Sequence, residues 1–315
     1  MKDVAFRDYF YRYSLQTKHS RHTAAWTSSI MTATPPVTAL STPSPTELHD
    51  TNPLERDTVI PGMRPIYMVV ATSRVSRGGR LRLGIGNQGQ LPWPMIKADM
   101  AFFRKVTTDG RETNTLSGES CCKVKRNAVI MGRKTWQSIP EKFRPLSGRV
   151  NVIVTRSNTT SLAEEVLREL KTRQHDEADK IVLDDIQKGI VSVIRNGSTE
   201  VAVTNSIDKA IEVDARSIYC IGGAEIYGLL LKSDTLKPKL RVLQTEVEKL
   251  DGTEFDCDTF WPDELGVASN EWIEADTEQI QDWIGESVPQ GAHEWFEDAK
   301  AGVRIRVRGW HRGGD

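Results

Sequence analysis

Long hydrophobic runs are absent from this sequence of 315 residues, and so is a surplus of charge of either sign. No apolar run approaches the roughly 20 residues that a membrane-spanning helix needs. The formal net charge is −1, so no overall field attracts nucleic acid or an anionic membrane surface. We therefore expect neither a nucleic-acid partner nor a membrane partner.

Cysteine is scarce, and histidine is scarce where chemistry is expected. The four cysteines, Cys121, Cys122, Cys220 and Cys257, show no C-x-x-C spacing. This pattern predicts a reducing compartment and no structural zinc. The six histidines all fall outside the motifs described below. The sequence therefore offers no histidine candidate for catalysis and none for metal binding.

The first 60 residues differ in composition from the rest of the chain. Residues 28–61 are rich in Ser, Thr and Pro with little apolar periodicity, which is typical of a disordered segment. We therefore divide the chain into a disordered extension, residues 1–60, and a folded domain, residues 61–315. Two alternatives stay open for the extension: a true start at Met31, and a mitochondrial targeting segment, against which Asp3 and Asp8 count. We expect a cytoplasmic protein.

Residues 84–103 are the most informative stretch. Three glycines within six positions predict a loop whose backbone can approach a flat ligand closely. Prolines on both sides of Trp93 fix the exit from this loop, and residues 95–103 are predicted to be a helix. Asp99 and Phe103, four positions apart, share one face of that helix. A lone carboxylate beside an aromatic ring suits a buried, nitrogen-rich heterocycle, although an exposed turn is an equally weighted reading of the glycines alone.

Three other segments each join a buried strand to a glycine turn or a basic residue. The first strand is residues 66–72, and strands ending at Gly132, Thr155 and Ile221 follow. Backbone N–H groups at a helix N-terminus beside Arg133 form an anion site. The segment that contains Gly132 and Arg133 is not a Walker A loop, because Asn127 stands where the first glycine of that motif would be. For any single arginine, a solvated strand end is the alternative; the combination at neighbouring strand ends favours a phosphate site.

Several segments are predicted to be loops or peripheral structure. Residues 73–83 are interpreted as a solvated loop, residues 107–126 as an enlarged loop, and residues 157–200 as a surface insertion. Within the insertion, Ser161 and Glu164 predict a capping box, and residues 190–194 are a candidate strand. Residues 303–308 alternate with arginine and are predicted to be a charged edge strand.

The block Leu91-Pro92-Trp93-Pro94, together with Asp99, Phe103 and the order of strand–glycine–helix junctions, resembles dihydrofolate reductase. The resemblance runs from about residue 66 to residue 312, interrupted by the long loops. It implies an α/β fold with a twisted mixed sheet of eight strands flanked by helices. It also implies NADPH-dependent reduction of 7,8-dihydrofolate to 5,6,7,8-tetrahydrofolate in one-carbon metabolism. Folates and antifolate inhibitors are the implied partners, and we expect a monomer.

The resemblance assigns roles to individual residues. Asp99 matches the acid that hydrogen-bonds the pterin ring, Thr259 the threonine that supports it, and Trp93 the tryptophan that holds an ordered water. Arg149 matches the clamp for the substrate's glutamate carboxylate. The implied pterin and benzoyl contacts are Val69, Val70, Met100, Phe103, Leu146 and Ile221. The implied cofactor contacts are Ala71, Gly84, Ile85, Gly86, Asn87, Gln88, Gly89, Gln90, Gly132, Arg133, Lys134, Thr135, Thr155, Arg156, Ser157, Gly222, Gly223, Ala224, Glu225, Ile226 and Tyr227.

Two departures and two alternatives accompany this assignment. Asp99 is shorter by one methylene than the glutamate of many eukaryotic members, and Met100 replaces an aromatic residue or leucine. The first alternative is a pyrimidine reductase of the riboflavin pathway, which shares the sheet architecture; Trp93, Asp99 and Arg149 together argue against it. The second is a non-catalytic protein that binds NADPH or folate, which the long loops would accommodate.

Overall fold

A mixed β-sheet organises the part of the chain that the computed structural model describes. That part comprises residues 64–108, 125–171, 181–182, 190–196, 199–263, 265, 271–285, 288 and 291–312. All of these residues lie within one compact unit, Gly62–Asp315. The expectations for residues 1–60, and for most of the loop 107–126, lie outside the described residues.

The sheet has thirteen strands within the described residues. They are β1 (Ile66–Arg77), β2 (Arg80–Gly86), β3 (Ala128–Gly132), β4 (Val150–Val154), β5 (Ile181–Val182), β6 (Ile190–Asn196), β7 (Thr199–Thr204), β8 (Ile218–Cys220), β9 (Leu240–Lys249), β10 (Thr259–Phe260), β11 (Trp272–Ala275), β12 (Phe296–Asp298) and β13 (Val303–Arg312). Ten of them form one continuous path, β11-β13-β9-β1-β8-β3-β4-β7-β6-β5, where the resemblance implies eight. Six neighbouring strands are parallel, in the order β9-β1-β8-β3-β4-β7.

Helices cover both faces of this sheet. Those on one face pack with Phe102, Trp136, Val166 and Ile280, and those on the other pack with Ala210 and Leu230. The first group is α1 (Lys97–Thr108), α2 (Arg133–Ser138), α3 (Thr159–Lys171) and α6 (Thr277–Ile284); the second is α4 (Ile207–Ile211) and α5 (Ala224–Lys232); two short 3₁₀ turns are Glu141–Phe143 and Lys237–Lys239. The predicted α/β fold, a mixed sheet between helices, is confirmed.

The first strand shows why its sequence reads as it does. The first five residues of β1, 66–70, are all buried, because a central parallel strand is covered on both faces. The strand then continues to Arg77 and turns at Gly78 and Gly79, both at positive φ, into β2. The prediction of a solvated loop over residues 73–83 is therefore wrong: the segment is a β-hairpin, whose polar outer residues hid the strand pattern.

The insertion 157–200 contributes to the sheet more than expected. Leu162 and Val166 of α3 are buried against it, and β7 pairs in parallel with β4. The predicted capping box at Ser161 is wrong, because the helix begins earlier. The Asn158 side chain accepts hydrogen bonds from the backbone N–H groups of Thr160 and Ser161 at 2.9 and 3.3 Å. The candidate strand at residues 190–194 is confirmed as β6.

The arginine-bearing strand β13 is interior. It pairs with β9 on one side and with β11 and β12 on the other, so the edge-strand prediction is wrong. Its arginines are neutralised by acids on neighbouring strands: Arg306 reaches buried Glu246 at 2.7 Å, and Arg308 reaches Glu274 at 2.6 Å. Cross-strand pairing of opposite charges explains the alternating pattern without a ligand.

Candidate active site

The carboxyl ends of the parallel strands bring the turns that follow β3, β4 and β8 together at one edge of the sheet. The strand register pairs Met68 with Cys220, Ile130 with Cys220, and Gly132 with Val154. The residues that follow these positions therefore come together, which is where ligands bind in open α/β sheets. Helix α1 covers one end of this edge, and the turns before α2 and α5 form the other.

Asp99 lies in the first turn of α1 and is 6% exposed. Burial raises the pKa of this carboxyl from 3.8 to about 6, and a hydrogen bond from Thr245 opposes the rise. Thr245 is on β9 and is itself buried. A buried carboxyl with a pKa near neutrality can both accept hydrogen bonds and hold a proton, which makes Asp99 the chemically competent group of this edge.

Thr259 does not support Asp99, and that prediction is wrong. Its strand, β10, pairs with β2, and its hydroxyl donates to Asp258 at 2.7 Å. Thr245 takes the expected place. Sequence offered one signal for it: on the alternating strand β9, Thr245 shares a face with Leu243 and Val247, so a hydroxyl stands among apolar neighbours.

Trp93 is 5% exposed and packs edge-on against Phe255, with ring centroids 5.6 Å apart. Its indole Nε1 is buried and has no hydrogen-bond partner among the described residues. A buried indole N–H usually finds an acceptor. The atom is therefore free to donate to a water or to a ligand.

The predicted apolar contacts divide between the two sides of the sheet. Val69 belongs to the cluster on the α1 side, against which Phe103, Leu146 and Ile221 pack half-buried. Met100, on α1, is also half-buried. Val70 belongs to the opposite cluster, because successive strand side chains point to opposite faces. The Val70 side chain therefore does not share the face of Val69, and a contact of Val70 with the pterin stays a prediction.

Arg149 is 5% exposed beside the start of β4. Its Nη1 donates to the hydroxyl of Thr107 at 2.7 Å, and its Nε donates to the carbonyl of Ser147 at 3.1 Å. Burial, and then the neighbouring cation of Arg104, lower the pKa of Arg149 to about 10. Within the described part of the chain the guanidinium has no carboxylate partner. The Arg149 guanidinium keeps its positive charge at neutral pH and can therefore bind an anion.

Two glycine turns meet at the other end of the edge. The backbone N–H of Gly132 donates to the carbonyl of Gly222 at 2.8 Å, and a Cβ added at Gly223 would lie 3.5 Å from the Thr135 hydroxyl. Gly222 has φ +100, and the Gly222–Gly223 peptide is cis. No side chain caps the N-terminus of α2 or of α5. Their first-turn amides are therefore available to a phosphate group.

Two residues of the α5 turn are placed differently from the prediction. Ile226 is buried and packs against Gly132, where an added Cβ would lie 3.1 Å from Ile226 Cγ1. Tyr227 is 3% exposed, and its hydroxyl donates to the carbonyl of Val69 at 2.7 Å. These side chains hold the turn against β1 and β3 instead of lining the cleft. Ala224 and Glu225 lie at the first turn of the helix.

The basic residues predicted for the anion site are exposed. Arg133 and Lys134 follow β3, and Arg156 follows β4 and pairs with Glu225 at 2.8 Å. Thr155 is buried, and its hydroxyl accepts a hydrogen bond from the backbone N–H of Ser157 at 3.1 Å. The cations and the two glycine turns thus follow strand ends that the register places side by side.

The glycine loop of residues 84–90 is a strand end and a tight turn. Gly84 is required by packing, since an added Cβ would clash with Cys257 Sγ. At Gly86 an added Cβ would make only an ordinary van der Waals contact with Thr259, at 3.4 Å. Packing therefore explains Gly84 without a ligand but does not require glycine at position 86. Ile85 lies between them and packs half-buried against the core cluster on the α5 side of the sheet.

The turn itself spans residues 87–90 and is held by one acid that the sequence reasoning missed. Asn87 and Gln90 exchange backbone hydrogen bonds at 2.9 and 3.0 Å, and Gln88 and Gly89 have positive φ. The backbone N–H of Gln88 donates to Asp258 Oδ2 at 2.7 Å. That bond, followed by the bond from Thr259, lowers the pKa of Asp258. Asp258 anchors the turn as a carboxylate.

The site has a buried carboxyl, a buried arginine without a carboxylate partner among the described residues, and two uncapped glycine turns on a mixed sheet. This combination is typical of α/β enzymes that bind a nucleotide-type cofactor beside a small substrate. A family model described as dihydrofolate reductase matches residues 123–184. The dihydrofolate reductase of Candida albicans is 31% identical over 206 residues, which cover 65% of this chain and 81% of that protein. The dihydrofolate reductase of Sus scrofa is 32% identical over 202 residues, 64% of this chain and 81% of that protein.

The chain belongs to the dihydrofolate reductase family. It is also 33% identical over 205 residues to a bifunctional dihydrofolate reductase-thymidylate synthase of Arabidopsis thaliana, and there it spans 29% of the relative's length. Membership makes the chain an oxidoreductase that reduces dihydrofolate with a nicotinamide cofactor. Among the described residues, the helices are too short or too polar to cross a bilayer.

Proposed function

We propose that this chain reduces 7,8-dihydrofolate to 5,6,7,8-tetrahydrofolate with NADPH, and that the strand-end edge described above is the active site. The observation that carries the proposal is the burial of Asp99 in the first turn of α1, which leaves its carboxyl with a pKa of about 6. The two uncapped glycine turns lie at the other end of the same sheet edge.

The residues present fit a dinucleotide. The amides before α2 and α5 suit the pyrophosphate. The glycines let the two turns pack closely, since Ile226 and Tyr227 fill the space that a Cβ would need at Gly132 and Gly222. When bound, the cofactor supplies a hydride to C6 of the pterin ring. Ala71, at the half-buried end of the apolar part of β1, and the turn at residues 87–90 are the proposed neighbours of its nicotinamide end.

The protein's own part in the chemistry is to hold the ring and manage a proton. Asp99 accepts hydrogen bonds from the nitrogen-bearing edge of the pterin. The Trp93 N–H, which has no partner among the described residues, orients a water beside that carboxyl. Through such a water a proton reaches N5, because Asp99 itself binds the opposite edge of the ring. With a pKa of about 6, the carboxyl exchanges protons near neutral pH.

Arg149 is proposed to bind the glutamate carboxylate of the substrate. Its side chain is fixed by Thr107 and by the Ser147 carbonyl, so little side-chain entropy is lost on binding. The half-buried rings and alkyl groups of Phe103 and Leu146 lie between Asp99 and Arg149 in this reading and contact the benzoyl group. An arginine fork matches a carboxylate with two parallel hydrogen bonds.

The preference for NADPH over NADH rests on the exposed cations after the strand ends. Arg133, Lys134 and Arg156 offer charge to a 2′-phosphate, and the buried Thr155 fixes the backbone that carries Arg156. The expected cytoplasmic location and monomeric state stay predictions. The riboflavin-pathway alternative has no use for Arg149, and no contact in the described residues favours it.

The test is NADPH oxidation with dihydrofolate, followed by absorbance, for the full chain and for Asp99→Asn. The variant removes the proton-holding carboxyl with little change in volume, so kcat at neutral pH should fall by roughly 10²–10⁴-fold. Binding of NADPH, measured by tryptophan fluorescence, should stay within about 3-fold of wild type because the cofactor side is untouched. Turnover near the wild-type level would show that Asp99 has been assigned the wrong role.

A further inference from the structure

The ion pair between Arg156 and Glu225 crosses the proposed 2′-phosphate site. Arg156 follows β4, and Glu225 lies in the first turn of α5, immediately after the paired glycines. Nη1 and Oε1 are 2.8 Å apart, and the side chains are 87% and 58% exposed. The pair is therefore open to an incoming ligand. A carboxylate thus stands against one of the three cations to which the site owes its positive charge.

Glu225 has a local reason for its position, because an acid in the first turn of a helix interacts favourably with the helix dipole. For an anion-binding site the same charge is adverse. A 2′-phosphate carries about two negative charges at neutral pH, by analogy with other phosphate monoesters. It must either draw Arg156 away from Glu225 or bind with the carboxylate nearby. Both arrangements lose electrostatic energy that a neutral residue at position 225 would keep.

We propose that Glu225 is a specificity-determining residue that competes with the cofactor's 2′-phosphate for Arg156. This inference rests on the proposed function. NADH lacks the 2′-phosphate and so has no group that binds Arg156. The ion pair between Arg156 and Glu225 therefore persists when NADH binds. Glu225 therefore weakens NADPH binding selectively and narrows the preference for NADPH over NADH.

The test measures dissociation constants of NADPH and NADH by tryptophan fluorescence quenching, for wild type, Glu225→Gln and Glu278→Gln. Glu278 is a matched control, since it is an exposed acid in the first turn of another helix, α6. Exposed ion pairs are weak, so Glu225→Gln should tighten NADPH binding by about two- to five-fold and leave NADH within error. The gain should shrink at high ionic strength, and Glu278→Gln should change neither constant.

A second comparison separates competition from a general charge effect. In an Arg156→Gln background, Glu225→Gln should lose most of its effect, because the contested cation is gone. Equal tightening for NADPH and NADH, an undiminished effect without Arg156, or weaker NADPH binding in Glu225→Gln would each overturn the inference. Failure of the proposed function looks different: wild type itself would then show no preference for NADPH and no dihydrofolate-dependent oxidation.

Discussion

The Thr245 hydroxyl donates a hydrogen bond to the buried Asp99 carboxyl, and the two residues come from elements far apart in the chain. Asp99 is on the helix after the glycine loop, and Thr245 is in the middle of β9. The bond favours the ionised carboxyl, whereas burial favours the neutral one. The balance leaves the pKa at about 6, so Thr245 adjusts the protonation of the group on which the proposed reaction depends.

Replacing Thr245 by valine should raise the pKa of Asp99 above its present value, because the bond that stabilises the carboxylate is lost. We expect kcat to fall by roughly 10-fold, the equivalent of one hydrogen bond to a charged group. The pKa is measured by ¹³C NMR titration of the aspartate carboxyls, with Asp99→Asn used to assign the resonance. Thr245→Ser keeps the hydroxyl and should restore most of the activity.

Thr259→Val is the matched comparison, since Thr259 bonds to Asp258 and not to Asp99. It should leave the pKa of Asp99 unchanged. If instead Thr259→Val moves that pKa and Thr245→Val does not, the structural assignment of the supporting threonine is wrong.

Asp99 should also reduce the stability of the protein at neutral pH. Its pKa in the folded state, about 6, lies above the value of 3.8 for an unperturbed aspartate. Between these values the folded state binds more protons than the unfolded state, so stability falls as pH rises through this window. The folding penalty is fully present above about pH 6 and amounts to roughly 3 kcal/mol, at about 1.4 kcal/mol for each pH unit of difference.

Asp99→Asn should therefore be more stable than wild type by roughly 2–3 kcal/mol at pH 7.5, and the gain should disappear near pH 4. Urea unfolding at a series of pH values measures this difference. A gain that is the same at every pH would mean that the carboxyl is not ionised at a cost in the folded state.

The buried strands and the acid of the site could be predicted from the sequence because each depends on local pattern, whereas the mixed sheet was implied by the resemblance. Buried parallel strands give continuous apolar runs such as residues 66–70, and Asp99 follows Trp93 within one contiguous motif. Thr245, Thr107 and Asp258 could not be found in this way. Each acts on a residue at least 42 positions away, and strand register, which local sequence does not specify, creates those contacts.

Glycines misled for a related physical reason. Gly84 has no room for a Cβ because the Cys257 side chain occupies that space, and at Gly222 the Tyr227 ring occupies it. A sequence shows that a Cβ is absent but does not show what fills its place. Similarly, the resemblance places Val69 and Val70 at one slot, but the strand period sends their side chains to opposite faces.

Arg149 is predicted to act through its fork geometry, which Thr107 fixes. Arg149→Lys should raise KM for dihydrofolate by roughly 30- to 100-fold, because one ammonium cannot make two parallel bonds to a carboxylate. A pterin substrate without the glutamate moiety should show a change of less than about 3-fold. Steady-state kinetics with both substrates measure the two values.

Thr107→Val should show the same pattern in a weaker form, with KM for dihydrofolate rising by about 3- to 10-fold. The loss is smaller because the Ser147 carbonyl still holds Nε of Arg149. An equal rise for the pterin lacking glutamate would contradict the assignment, since it would place the effect on the ring and not on the tail.

The last prediction concerns the turn at residues 87–90 and its short hydrogen bond to Asp258. The Gln88 N–H donates to Asp258 Oδ2 at 2.7 Å. Asp258→Asn keeps the volume but removes the charge that strengthens this bond. We expect the turn to open more often, and KM for NADPH to rise by roughly 3- to 10-fold.

Because the lowered pKa of Asp258 keeps its carboxyl ionised throughout the neutral range, the difference in KM from wild type should not depend on pH between 6 and 8, in buffers where both proteins are folded. Hydrogen exchange of the residue 87–90 amides in the ligand-free protein checks the physical cause. Asp251→Asn provides the control, since Asp251 is an exposed acid that bonds within its own turn, to Thr253. Faster exchange confined to this turn in Asp258→Asn would support the anchor; equal exchange in both variants would mean that Gln88 and Gly89 hold the turn by their backbone conformation alone.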